Sequence, residues 1–212
     1  MLLAAQTGCD AKGTAKSNEG AAADAPPQTG ELLIASAPEG WVQVGGLNQG
    51  QVRIAEYANP ENLSPDRVDS VRFESQAGDP LPDPIDFLLG MREELRGQCK
   101  GVRDFPISSG YENGYPTSVR LMLCREKGDT PRGEVRMVKA IRGAEQFYIV
   151  SRSRNAPPFA PEQEPMSVED MAIWSAWFAR VHVCDTRSTE HSCPIGMQAH
   201  DQLSERVSKQ SD

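Results

Sequence analysis

The hydrophobic pattern is most regular between residues 111 and 154, where turn signals separate three apolar runs at 117–124, 133–142 and 146–154. In the first run Val119, Leu121 and Leu123 alternate with Arg120, Met122 and Cys124. A period of two puts the two sets on opposite faces and predicts a half-buried strand. The breaks at 127–133 and 143–145 carry Gly and Pro, which supply the backbone angles of turns. Three strands with short connections predict an antiparallel meander, which the rest of the chain is expected to cover.

Earlier, the alternating runs 41–44 and 51–57 flank the Gly-rich 45–50 and predict a hairpin turning there. Those glycines lack the Lys-Ser/Thr ending and the following helix of a phosphate loop. Another alternating run, 70–76, places Val71 and Phe73 on one face. A helix then starts at Asp83-Pro84, a good cap followed by a residue suited to the first helical position. Ile85, Leu88, Leu89, Met91 and Leu95 form its apolar stripe, and Arg92, Glu93, Glu94 and Arg96 its wet face. Gly97 and Gly101 bracket its end around Cys99. Residues 102–107 read as an edge strand and 108–116 as a polar loop.

After the Pro-rich segment 155–165, Ser167 and Asp170 have the spacing of a capping box. Met171, Trp174, Phe178 and Val181 follow at helical spacing, flanked by Ile173 and Trp177. This second helix is expected to be core and to end near Cys184. The fold class that follows is α+β, a mostly antiparallel sheet flanked by helices. The order resembles the Mog1/PsbP-like group, which includes small bacterial lipoproteins. The resemblance rests on the Trp41 hairpin, the helix at 84–99, the meander at 117–154 and the closing Trp-bearing helix. It implies an α/β sandwich. Because the understood members act mainly by binding other proteins, it also implies a binding role, though a fold does not fix a function.

The chain of 212 residues is 38% hydrophobic and 25% charged, with a formal net charge of −8. Phosphates repel such an acidic surface, so no nucleic-acid partner is expected. No apolar run approaches the roughly 20 residues of a membrane-spanning helix. Residues 1–10 (MLLAAQTGCD) resemble the end of a bacterial lipoprotein signal, with Cys9 as the lipidation site. Gln6 stands where that pattern prefers Leu. Residues 11–30, rich in Ala, Gly, Ser, Asp and Pro, read as a flexible linker. Residues 31–195 form the expected single domain and 196–212 a polar C-terminal tail.

Four further cysteines allow three pairings. Cys184–Cys193 and Cys99–Cys124 are expected, the first by closeness in sequence and the second by position at element ends. Such bonds persist in an oxidising compartment such as the periplasm. The alternative use is a zinc or copper site from His182, Cys184, His191 and Cys193, with Met197 and His200 nearby. No nucleophilic triad is visible, and the paired acids Glu93-Glu94 and Glu169-Asp170 point apart on helices. The expectation is a non-enzymatic, lipid-anchored periplasmic binding or scaffolding domain without a cofactor. Its expected partner is another envelope protein, and its only expected contact with a membrane is the lipid anchor.

Overall fold

The computed structural model describes residues 30–63, 68–128 and 130–194. Cys9, residues 1–29, Met197, His200 and the C-terminal tail lie outside the described residues. The meander forms as expected: β7 (Tyr115–Cys124), β8 (Gly133–Arg142) and β9 (Gln146–Ala156) pair antiparallel in sequence order. Next to β9 lie β4 (Asp69–Ala77), β3 (Val52–Ala58) and β2 (Val42–Gln49). The far edge of β7 carries β5 (Val102–Asp104) and β6 (Ser108–Glu112), which complete an eight-stranded sheet.

Strand β7 is not half-buried. Leu121 and Leu123 join a core under helix α2 (Val168–Phe178), and Met122 and Cys124 join one under helix α1 (Pro84–Gln98). The helices therefore cover opposite faces of one sheet, and period two must be apolar on both sides. The stripe of α1 is also rotated from the expected one. Leu88 and Leu95 are buried, while Ile85 and Leu89 are exposed and Phe87 packs inward instead.

The hairpin turn lies at Gly50-Gln51, between the paired Gln49 and Val52. Gly50 takes a φ of 58°, which favours glycine. Gly45 and Gly46 belong to β2, beside a register shift. The expected polar loop at 108–116 is largely β6, joined to β7 through Asn113-Gly114, both at positive φ. That is the pair of angles a tight hairpin demands.

The second helix ends at Phe178, earlier than expected. The chain then forms β10 (His182–Asp185), which pairs with β1 (Glu31–Ile34) in a separate two-stranded sheet. This ribbon closes over the ends of the meander. The carboxylate of Glu31 accepts from the amides of Ala144 and Gln146, and Asn113 Nδ2 donates to the Val183 carbonyl at 3.0 Å.

Cys99, the residue that ends α1, is bonded to Cys124 with the Cα atoms 5.7 Å apart. Cys184 is bonded to Cys193 at 4.9 Å. The opposed helices exclude the swapped pairings, since α1 and the segment after α2 lie across the sheet from one another. By loop-closure entropy, the Cys99–Cys124 bond, spanning 25 residues, contributes about 3.5 kcal/mol. Urea unfolding of a Cys99→Ala/Cys124→Ala variant is expected to show a loss of that order. A loss below about 1 kcal/mol would mean that the bond constrains little.

Candidate functional site

The four proposed metal ligands do not form a ligand set. Cys184 and Cys193 are bonded to each other, which removes both thiolates. Nδ1 of His182 lies 3.0 Å from the Arg180 carbonyl, and Nδ1 of His191 lies 2.8 Å from that of Asn113. The His191 ring packs on Tyr115 with centroids 4.4 Å apart. No group of three or more His, Cys, Asp or Glu suited to a metal occurs among the described residues.

Several buried ionisable groups hold elements together. Lys139 Nζ, at the centre of β8, donates to the carbonyls of Phe178 at 2.9 Å and Val181 at 2.5 Å, and pairs with Glu112. It caps the C-terminal end of α2, and burial lowers its pKa. Tyr115 is pushed up to about 12 by burial, with the charges of Glu31 and Asp185 adding to the effect. The Arg152 guanidinium lies between the rings of Trp41 and Trp174, 5.1 and 4.8 Å from their centroids. Asp69 pairs with Arg152 at 3.6 Å and with Arg154 at 3.0 Å.

A surface suited to a macromolecular partner lies along α2. Ser167 Oγ accepts from the Asp170 amide at 3.0 Å and starts the helix. The inner side buries Trp174, Trp177 and Phe178, and Trp177 Nε1 donates to the Ser36 carbonyl at 3.0 Å. The outer side is largely apolar too: Val168 is 80% and Ile173 60% exposed, beside exposed Ala172 and Ala176, with Glu169 and Ser175 as the exposed polar residues among them. A helix apolar on both sides exceeds what its own core requires. At its N-terminal turn an open groove of about 600 Å³ runs from Phe105 past Pro165 and Met166 to Val168 and Met171. Arg103 holds the segment beside it through the Pro161 carbonyl at 3.1 Å and Glu164 at 2.7 Å. Sequence periodicity had marked Ile173 only as a flank of the core stripe. Val168 and Phe105 carried no signal, because their meeting depends on how the 161–167 segment crosses β5.

No protein-family model matches the chain, and no curated protein matches it. Among solved structures it is similar to a Pseudomonas aeruginosa protein of unknown function, with 15% identity over 62% of this chain and 80% of that one and a TM-score of 0.42. It is similar to LpqN of Mycobacterium tuberculosis, involved in cell envelope biogenesis, with 12% identity over 76% of this chain and 87% of that one and a TM-score of 0.46. It is also similar to the Ran-binding protein Mog1p of Saccharomyces cerevisiae, with 14% identity over 74% of this chain and 92% of that one and a TM-score of 0.46. The arrangement read from the order of elements, a mostly antiparallel sheet flanked by helices, is the one the structure has. Likeness at this level describes the path of the chain and says nothing of partner or activity.

Proposed function

We propose that this chain is a non-enzymatic binding domain of the bacterial periplasm, tethered to a membrane by lipid on Cys9. In this reading the outer side of α2 and its groove contact another envelope protein. The observation that carries it is the double-sided apolar character of α2, with Val168 and Ile173 open to solvent above a fully occupied inner side. The paired cysteines suit an oxidising compartment. The groove suits an apolar side chain better than a reaction: among the described residues its lining carries one titratable group, Glu164, which is paired with Arg103.

The test is cross-linking in intact cell envelopes, with the protein expressed behind a working lipoprotein signal. Three forms are compared: the parent, Cys9→Ser, and Val168→Asp/Ile173→Asp. Cys9→Ser is expected to leave the membrane fraction. The double variant is expected to keep its melting temperature within about two degrees and to lose its cross-linked partner at least tenfold, as central contact residues do. Unchanged fractionation sinks the tether. An unchanged cross-link sinks the α2 surface.

A further inference from the structure

The α1 side of the sheet carries a second constellation, independent of the α2 surface. Asp104, at the end of β5, pairs with Met122 of β7, and β6 takes up the edge of β7 again at Val119. Arg120 therefore faces the break between β5 and β6, on the α1 side by strand alternation. Arg92 and Arg96 stand one helical turn apart on α1 and reach the same place. Arg92 Nε lies 2.8 Å from Asp104 Oδ2, and Arg120 Nη2 donates to that same oxygen. Arg92 and Arg96 both donate to Glu93 Oε1, at 3.1 and 3.2 Å.

Three guanidiniums thus share two carboxylates, in a chain whose net charge is −8. The Arg120 side chain is 7% exposed, and its Nε and Nη1 have no hydrogen-bond acceptor among the described residues. A buried N–H without an acceptor is costly, and a buried charge short of counter-charge more so. Burial lowers the pKa of Arg120, and the neighbouring charges of Arg92 and Arg96 lower it further. Glu93 is the weak member of the set, exposed and, among the described residues, held from its own helix.

We propose that Arg92, Arg96 and Arg120 form a binding site for a phosphate group. A phosphate carries the missing negative charge and enough oxygens to accept from several guanidiniums at once. It enters from the solvent side of α1, displaces Glu93 from the two arginines it bridges, and gives the inner nitrogens of Arg120 their acceptor. The group belongs either to a small phosphate compound or to the headgroup of an anionic phospholipid.

Two probes separate those sources: inorganic phosphate by calorimetry at constant ionic strength in chloride, and co-sedimentation with phosphatidylglycerol against phosphatidylcholine vesicles. Both use the full chain with Cys9→Ser, so that no lipid anchor contributes. Saturable binding of at least one probe is expected. It should weaken at least tenfold in Arg96→Gln, a half-exposed position that leaves the fold intact. It should tighten severalfold in Glu93→Gln, which removes the competing carboxylate. Phosphate binding without vesicle binding assigns a small ligand. Vesicle binding that depends on Arg96 assigns the headgroup. Absence of both, or binding that Arg96→Gln leaves unchanged, overturns the site and means that water satisfies Arg120.

Discussion

Trp174→Ala is expected to lower the stability of the domain by about 3–5 kcal/mol, the range for deleting a buried large aromatic. Trp174 is completely buried at the centre of the α2 core. Its removal leaves a cavity in a cluster whose other members, Val71, Phe73 and Val150 among them, are already buried and packed. It also strips one ring from Arg152, whose guanidinium lies 4.8 Å from it, and from Arg154 at 5.6 Å. A desolvated cation–π contact is worth about 2 kcal/mol or more, so the two lost contacts add to the cost of the cavity. Trp174 Nε1 has no hydrogen-bond partner among the described residues. Trp174→Phe therefore loses no bond and is expected to cost about half as much, chiefly through lost volume. Equilibrium unfolding in urea measures both. A Trp174→Ala cost under about 1 kcal/mol would mean that α2 does not anchor the core, and the outer-face surface would lose its rigid support.

How far the sequence announced this molecule depended on whether each signal was local. The meander was legible because its turns carry Gly and Pro and its strands are long. The start of α1 was legible because Asp83 and Pro84 act within one turn, and Asp83 does accept from the amides of Ile85 and Asp86. The face on which each helix sits was not legible. Period two in β7 says only that its sides differ, and both sides turned out to be covered. The end of α2 was missed because Val181 is buried at a spacing that fits the helix, although it lies in the turn leading to β10. β10 itself is four residues long, and its partner β1 lies some 150 positions earlier, so nothing nearby marks it. Asn113-Gly114 was a local hairpin signal that could have been read from the sequence; the polar residues of β6, exposed at the sheet edge, concealed it. The Arg120 cluster was out of reach for the same reason as β10. Its members come from a helix, an edge strand and the meander, and only the pairing of Asp104 with Met122 brings them together.

Lys139→Met is expected to cost about 2 kcal/mol even though methionine nearly matches the lysine stem in length and is the more apolar side chain. Lys139 is 1% exposed, and its ammonium is the donor for the Phe178 and Val181 carbonyls where α2 ends. Removing it strands the Val181 carbonyl, at about 1–3 kcal/mol for an unsatisfied group, and leaves the Phe178 carbonyl with the Val181 amide at 3.1 Å, the loss being offset in part by no longer burying a charge. Glu112 adds little to the loss because it is itself partly exposed and rehydrates. The pH dependence identifies the cause. Burial lowers the folded pKa of Lys139 below its unfolded value, so in the window beneath the ordinary lysine range the unfolded chain binds more protons. Stability contributed at this position then rises with pH across that window. The buried tyrosines act in the opposite sense, since their raised pKa values make the folded chain hold protons that the unfolded one releases. They are common to both proteins and cancel in the difference. The deficit of Lys139→Met relative to the parent is therefore expected to widen as pH rises from 8 towards the ordinary lysine value of about 10.4 in urea titrations. A deficit that shrinks with pH would mean that the ion pair with Glu112, and not the capping of α2, supplies the stability.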